Sequence, residues 1–562
     1  MSKMLPAPCQ NPIKEMLPIL YAVLRNPIKQ SLSLMSLRAA LGGGAMAAVL
    51  ATVALALRLG TWLASIQRRH NYPRLGNGQP VQPFAPASFP FGNMKQLTSW
   101  LPIDVAKAYL RAAGSSAGYI VLMFLSKPML FVVDNDEAAK AVLSANITIK
   151  QSERNLGKQS PLWDRLFGKG LFMVGPKDWK KQHRICMRGF GPSQLSTFAK
   201  STSGVVAAEF QHVSVAVERH FQNSATLPLM EWDSSVFLTT LAARVIVAVM
   251  FGQSLPIEDE QRVNEAFGLW EAASADPSYY LPGYLDKAPL AGPRALRTAI
   301  KDMHTIAQRC IAKEREAARV AGSEYHSLLS VLVHARDDDG AKLDEDELVH
   351  NVYSFFGAGV ASTAHAMRSQ LFMLARHPKV QEKLYQEVKA GPLEWDFVKN
   401  LPYLSAVISE SLRLYPSIQG SATRDLTTDV LLPGGLHAAK GTSVGVNSLA
   451  SQRRPAVWGP DADDFRPERF LNGQPEDKGV GNPLLPHRTP PGLPDTAFLA
   501  FGYGARPCIG RPLAMIEMKM VLAHAVRQYE IVEMDPKGFE IVMAPPFIFP
   551  KRSLKLGLRP RP

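Results

Sequence analysis

Phe501-Gly502-Tyr503-Gly504-Ala505-Arg506-Pro507-Cys508-Ile509-Gly510 is the stretch that decides how this chain folds. It is a glycine-bounded loop holding one cysteine, two residues from an arginine, and it runs into helix-forming residues 513–529. Backbone N–H groups, the positive end of that helix and Arg506 all favour a thiolate at Cys508. Gly504 and Gly510 let the backbone turn tightly and approach a flat ligand without a Cβ clash. A buried structural cysteine is the plain alternative for such a residue in isolation. The other cysteines, Cys9, Cys186 and Cys310, lie far from it and from one another. That dispersal excludes a disulfide scaffold and a zinc site built on paired cysteines.

Working outward, Ser409-Glu410-Ser411-Leu412-Arg413-Leu414-Tyr415-Pro416 puts Glu410 and Arg413 three apart on one helix. Taken alone, such a pair is a solvated surface pair worth a few tenths of a kcal/mol. Residues 344–376 form the longest helical candidate, with capping-box spacing at Asp344 and Glu347 and a stop at Pro378. Gly357 and Gly359 interrupt it, and each costs about 1 kcal/mol relative to alanine. They imply a flat ligand at close approach, a local bend or a helix-packing contact. Strand signals are few: a hairpin over 119–124 and 129–133, and short strands over 430–446 around Pro433-Gly434-Gly435. Residues 472–496 hold six prolines and read as a long surface loop. The expected body is one mostly α domain with a small β region, over residues 95–562.

Together these segments resemble the cytochromes P450. Phe501, Gly504, Arg506, Cys508 and Gly510 stand at the spacing of that family's heme-binding loop. Glu410 and Arg413 match its Glu-x-x-Arg pair, and Arg469 in Phe465-Arg-Pro-Glu-Arg469-Phe470 matches the arginine that completes a buried structural triad. Trp179 and His183 fit the helix that donates to a heme propionate, where many members carry arginine at the place of His183; Arg424 is assigned to the other propionate. The resemblance implies the P450 fold, heme b as cofactor, and Cys508 as axial thiolate ligand of the iron. It further implies O2 and a lipophilic small molecule as substrates, with electrons from NADPH through a separate reductase or another electron donor. Gln452 stands where a histidine often precedes Arg453, and no function is attached to it.

One departure bears on chemistry. Ala358-Gly359-Val360-Ala361-Ser362-Thr363 occupies the family's oxygen-activation motif, with Ala361 at the usual acid and Ser362 at the usual first threonine. Proton delivery would then rest on Ser362, Thr363 and water, without a positioned carboxylate. The leading expectation is a monooxygenase inserting one atom of O2. A redox-neutral or peroxide-using isomerase or dehydratase would tolerate the missing acid, and a non-catalytic heme protein is the third reading. Tyr279, Tyr280, Phe355 and Phe356 line an apolar cavity or belong to the core.

The chain has 562 residues, 46% hydrophobic and 20% charged, which is globular composition with ample material for a large core. Its net charge of +14 does not point to nucleic acid: residues 1–103 carry ten Lys/Arg against Glu15 alone, so most of the excess sits in the leader. Residues 39–57 are uncharged, bracketed by Arg38 and Arg58, and as a helix span roughly 28 Å. They are read as a single membrane anchor after an N-terminal segment, 1–38, that has an organelle-targeting signal as its alternative. A basic, proline-rich linker covers 58–94, and the heme domain is expected on the cytosolic side of the endoplasmic reticulum. Lys177, Lys180, Lys181, Arg184 and Arg188 recur at helical spacing and are expected to present a basic patch to an acidic reductase.

Overall fold

Helix periodicity dominates the sequence, and helices dominate the computed structural model. The structure describes residues 73–75, 81, 98–100, 102–124, 127–144, 149–150, 165–223, 229–252, 255–275, 291–321, 325–420, 423–471, 489–504, 506–534, 541–544, 547–550 and 553–562. The expected anchor at 39–57 lies outside them, as do Tyr279, Tyr280 and most of the proline-rich loop. Six helices position the site: α1 (Pro176–Arg188), α2 (Pro192–Asn223), α3 (Ser234–Phe251), α4 (Glu345–Arg376), α5 (Pro402–Leu414) and α6 (Arg511–Gln528).

The capping box starts α4 as the spacing requires: Asp344 accepts from the Glu347 N–H at 2.7 Å and Glu347 accepts from the Asp344 N–H at 2.8 Å. From Glu347 to Ala375 the helix is buried almost throughout, with breaks at His350, Ala358, Gly359 and Ser362. Helices buried all round need apolar residues on every face. α3 has them, including Leu238, Leu241, Ile246 and Met250, and is long and apolar enough to cross a membrane; here most of it is buried in the shared core with α4 and α6. Burying each such side chain contributes about 1.5–3 kcal/mol.

The β structure is distributed in small sheets. Tyr119–Phe124 and Lys127–Val132 form the expected antiparallel hairpin, which pairs in parallel with Ser443–Val446 and so joins a sheet with Arg424–Leu426 and Ile149–Lys150. Val430–Leu432 and Leu436–Ala438 make a second hairpin. Within the stretch expected to act as a linker, Arg74 bridges to His437 and Val81 is buried beside Leu432 and Leu436.

Candidate functional site

The cysteine loop is folded on itself before it enters α6. The Cys508 N–H donates to the Phe501 carbonyl at 2.8 Å, and Gly504 has φ +81° with the Leu143 carbonyl oxygen only 2.0 Å from where a Cβ would stand. Glycine is required there by both backbone and contact. Gly510 is different, because its φ of −80° suits any residue. The Cys508 side chain borders accessible space while protein surrounds it. Burial raises its thiol pKa; the N–H groups of Gly510 and Arg511, at the start of α6, and the Arg511 charge act to lower it. The cation beside the sulfur is therefore Arg511 and not, as the spacing led us to expect, Arg506.

Arg506 instead turns toward α1. Its guanidinium lies 4.1 Å from the centre of the Trp179 ring, and Trp179 stacks on His183 at 4.4 Å. Burial, then the nearby Arg424, depress the Arg506 pKa to about 10, and burial alone lowers that of Arg424. His183 is held below its ordinary pKa by burial and then by Arg506. Trp179, His183, Arg424 and Arg506, which come from α1, a sheet and the cysteine loop, thus form one partly desolvated cationic cluster. Two partly buried guanidiniums, one of them further perturbed by the other's charge, are suited to anionic groups. Together with a thiol at a helix N-terminus, this donor set fits a flat prosthetic group that carries a metal and carboxylates.

Below it, Glu410 and Arg413 are wholly buried and bonded twice, at 2.6 and 2.7 Å, and Arg469 Nε donates to the same carboxylate at 3.1 Å. Arg413 also donates to the carbonyls of Gln452 and Ala462. The pair is no surface decoration; removing one member would strand buried charge. Gln452 has a role that sequence reasoning missed. Its amide donates to the carbonyls of Leu412 and Arg413, and its oxygen accepts from the Leu499 N–H at 2.6 Å, which ties α5 to the approach to the cysteine loop.

In α4, Ala358, Gly359 and Ser362 are the accessible residues on one face of an otherwise buried run. Ser362 donates back to the Ala358 carbonyl at 2.5 Å, and Ser417 donates to the Ser362 carbonyl at 2.7 Å. Thr363 is buried, donates to the Gly359 carbonyl, and lies 3.3 Å from Glu517 of α6. Burial raises the Glu517 pKa to about 8, with the Thr363 hydrogen bond opposing. The Thr363 hydroxyl is thus the donor on offer both to the Gly359 carbonyl and to Glu517 Oε1, a carboxyl that burial inclines to keep its proton. A carboxyl group supplied by another helix is positioned at the Thr363 hydroxyl.

A model of the cytochrome P450 family matches residues 83–558. The chain belongs to the cytochrome P450 family. It is 25% identical over 475 residues to human cytochrome P450 4F12, covering 80% of this chain and 82% of that protein. It is 26% identical over 460 residues to pentalenene oxygenase of Streptomyces avermitilis, covering 80% and 91%. In fold it is similar to the solved structure of a retinoic acid-bound cyanobacterial CYP120A1, with a TM-score of 0.67, 20% identity and coverage of 86% and 100%. The protein is an oxidoreductase, and its family uses a cysteine-ligated heme iron reduced by a redox partner.

Two open readings of this P450 are narrowed by its packing, and one expectation needs correction. An added Cβ at Gly357 would meet the rings of Phe167 and Phe267 at 3.1 Å, and one at Gly359 would meet Ile246 at 3.1 Å. Of the readings left open for these glycines, close packing against neighbouring side chains is the one these contacts support. Phe355 and Phe356 are core: Phe355 packs on Phe190, and Phe356 stacks on Phe267 at 4.6 Å. The basic face of α1 is also mostly neutralised within the chain. Lys181 pairs with Glu347, Arg184 with Asp339 and Arg188 with Asp338. Lys177 and Lys180 remain exposed without an acidic partner among the described residues.

Proposed function

We propose that this P450 is a membrane-anchored heme-thiolate monooxygenase that inserts one atom of O2 into a lipophilic small molecule. In this reading Cys508 would hold the heme iron through its sulfur, and electrons would come from NADPH through a separate reductase. The observation that carries it is the cysteine loop with its neighbours: a thiol under two N–H groups at the start of α6, beside the Trp179–His183–Arg424–Arg506 cluster. When bound, the heme supplies the centre at which O2 is reduced, and thiolate donation favours cleavage of the O–O bond.

The chain's own residues do the rest. Gly510 and Arg511 N–H groups hold charge on the sulfur, which binding to a metal cation brings to the thiolate. Arg506 and Arg424 would neutralise the carboxylates of the bound heme, and Trp179 and His183 would help orient one of them. Glu410, Arg413, Arg469 and Gln452 fix the floor on which the loop rests. Ser362 presents its hydroxyl at the accessible face of α4, and behind it Thr363 donates toward Glu517 Oε1, a buried carboxyl able to take up and release a proton near neutral pH. The uncharged run at 39–57 supports an anchor, with the endoplasmic reticulum as its membrane.

The reaction is RH + O2 + NADPH + H⁺ → ROH + H2O + NADP⁺. It is tested with the full chain, a supplied NADPH-dependent reductase and a panel of lipophilic compounds that includes pentalenene, the substrate named in the bacterial relative. Equal amounts of NADPH, O2 and oxygenated product are expected. The replacement of the family's acid by Ala361 favours a second reading, a redox-neutral or peroxide-using reaction, and product formed without NADPH would establish it instead.

A further inference from the structure

Arg454 stands two residues after Gln452 and is buried, at 4% exposure. A guanidinium taken out of water needs acceptors for its fork of N–H groups, and an acid to balance its charge. Asp136, the first residue of the Asp136–Leu143 helix, supplies both: Arg454 Nη2 donates to its Oδ1 at 2.6 Å and Nη1 to its Oδ2 at 2.9 Å. Arg454 Nε donates to the Ser451 carbonyl at 3.0 Å, and Asp134 lies farther off, at 3.5 Å. The same Asp136 Oδ1 also accepts the hydroxyl proton of buried Thr496 at 2.8 Å. Burial pushes the Asp136 pKa up, but the hydrogen bonds from Arg454 and Thr496 and the Arg454 charge outweigh it and hold the carboxyl below its ordinary range. One carboxylate thus joins residues that lie 318 and 360 positions further along the chain.

Thr496 opens the approach to Cys508, and that approach is laid along the helix. Eight helical residues span about 12 Å. At the first of them Thr496 is bonded to Asp136; along the middle Leu499 and Tyr503 share an apolar cluster with Ala138, Ala139 and Val142; at the last the Leu143 carbonyl abuts Gly504. On the other side Gln452 holds the Leu499 N–H. The stretch from Thr496 to Gly504 is therefore held between the helix and residues 452–454, and the Asp136–Arg454 pair ties those two sides to each other.

We propose that Arg454 and Asp136 are positioning residues for Cys508: their ion pair sets where the helix lies, the helix sets the cysteine loop through Thr496 and Gly504, and the share of bound heme that carries a thiolate follows. They act through the loop and not at the iron. The inference rests on the heme-thiolate reading of Cys508.

The test uses the full-chain, heme-loaded protein and reads the carbon monoxide spectrum, as the ratio of the red-shifted thiolate band to the unshifted band, beside the urea midpoint. Arg454→Met keeps the length of the side chain and removes the fork, and Asp136→Asn keeps an acceptor for Thr496 and removes the charge. Each should lower the ratio ~10-fold, the scale of one charge-assisted hydrogen bond. The double variant should lower it no further than the worse single one, whereas additive losses would mean that the two side chains act separately and would overturn the proposal. Thr496→Val deletes only the hydroxyl and should lower the ratio about 3-fold. Arg454→Lys, which keeps the charge without the fork, should recover part of what Arg454→Met loses. Leu558→Ala opens a cavity in a sheet that holds none of these residues, so it should lower the urea midpoint and leave the ratio alone. An unchanged ratio in Arg454→Met and Asp136→Asn overturns the proposal, as does an equal fall in Leu558→Ala, because the pair would then contribute only stability. If those two variants fail to fold, Thr496→Val and Arg454→Lys decide the same question. Failure of the heme-thiolate reading looks different: the parent itself would lack the red-shifted band.

Discussion

Alanine at position 504 tests the fold of the cysteine loop. Two costs add there. A left-handed backbone, φ +81°, costs an L-residue about 1–2 kcal/mol. The new Cβ would also lie 2.0 Å from the Leu143 oxygen and 2.7 Å from its carbonyl carbon, inside any real contact, so the end of the Asp136–Leu143 helix must shift. Overpacking of this kind adds about 1–3 kcal/mol. Gly435 separates the two costs, because it has φ +76° and open space where its Cβ would be. Gly435→Ala should therefore lose about 1–2 kcal/mol and Gly504→Ala about 2–5 kcal/mol. The assay is urea unfolding of both full-chain variants, together with the carbon monoxide difference spectrum of the reduced protein. Gly435→Ala should keep the full thiolate band and Gly504→Ala should lose most of it. If the two variants behave alike, the close approach of the loop to Leu143 is not what holds the cysteine in place.

Three further outcomes follow from the same contacts. Glu410→Ala removes the countercharge of two buried guanidiniums and the acceptor of the Arg466 N–H, and should destabilise by about 3–5 kcal/mol in urea unfolding, with heme retention falling in parallel. Glu517 takes up a proton on folding, since burial raises its pKa from 4.5 to about 8. That stabilisation is full below about pH 4.5 and is lost as pH rises toward about 8, at up to about 1.4 kcal/mol per pH unit. Glu517→Gln should flatten this limb of the urea-midpoint profile, and an unchanged slope would contradict the assignment. Ser362→Ala should divert NADPH to peroxide more than Thr363→Ala does, as read by peroxide released per NADPH; the reverse order would move the main hydroxyl to Thr363.

What the sequence disclosed was local chemistry at fixed spacing. The cysteine loop, the Glu410–Arg413 pair, the capping box at Asp344 and the hairpin around Lys127-Pro128 all involve residues within a few positions of each other. Their spacing dictates their local geometry: the capping box, the hairpin and the Glu410–Arg413 contact form as read, while in the cysteine loop Gly504 but not Gly510 has the backbone that requires glycine. What stayed hidden depends on distant partners. Nothing near Lys181, Arg184 or Arg188 announces Glu347, Asp339 and Asp338, which lie more than a hundred residues away. Interior glycines told us that something comes close to Gly357 and Gly359 but not that it is Phe167, Phe267 and Ile246. Arg506 and Arg511 stand two and three residues from Cys508, and only the fold of the loop decides which one faces the sulfur. Glu517 did leave a signal: an acid and Lys519 within Leu513-Ala-Met-Ile-Glu517-Met-Lys519-Met-Val-Leu522, a helix apolar on every face, must be buried and must have been retained for a reason.

The ligation state of Cys508 tests the central claim most directly. Reduced, carbon monoxide-treated full-chain protein should show the red-shifted Soret band of a thiolate-ligated heme, and Cys508→Ala should abolish it while Cys186→Ala leaves it intact. Cys186 is the informative control because it lies on α1 with Trp179 and His183, and burial, with Glu347 adding to the effect, pushes its thiol well above the ordinary range. Retention of the red-shifted band in Cys508→Ala, or its absence from the parent protein, would contradict the account.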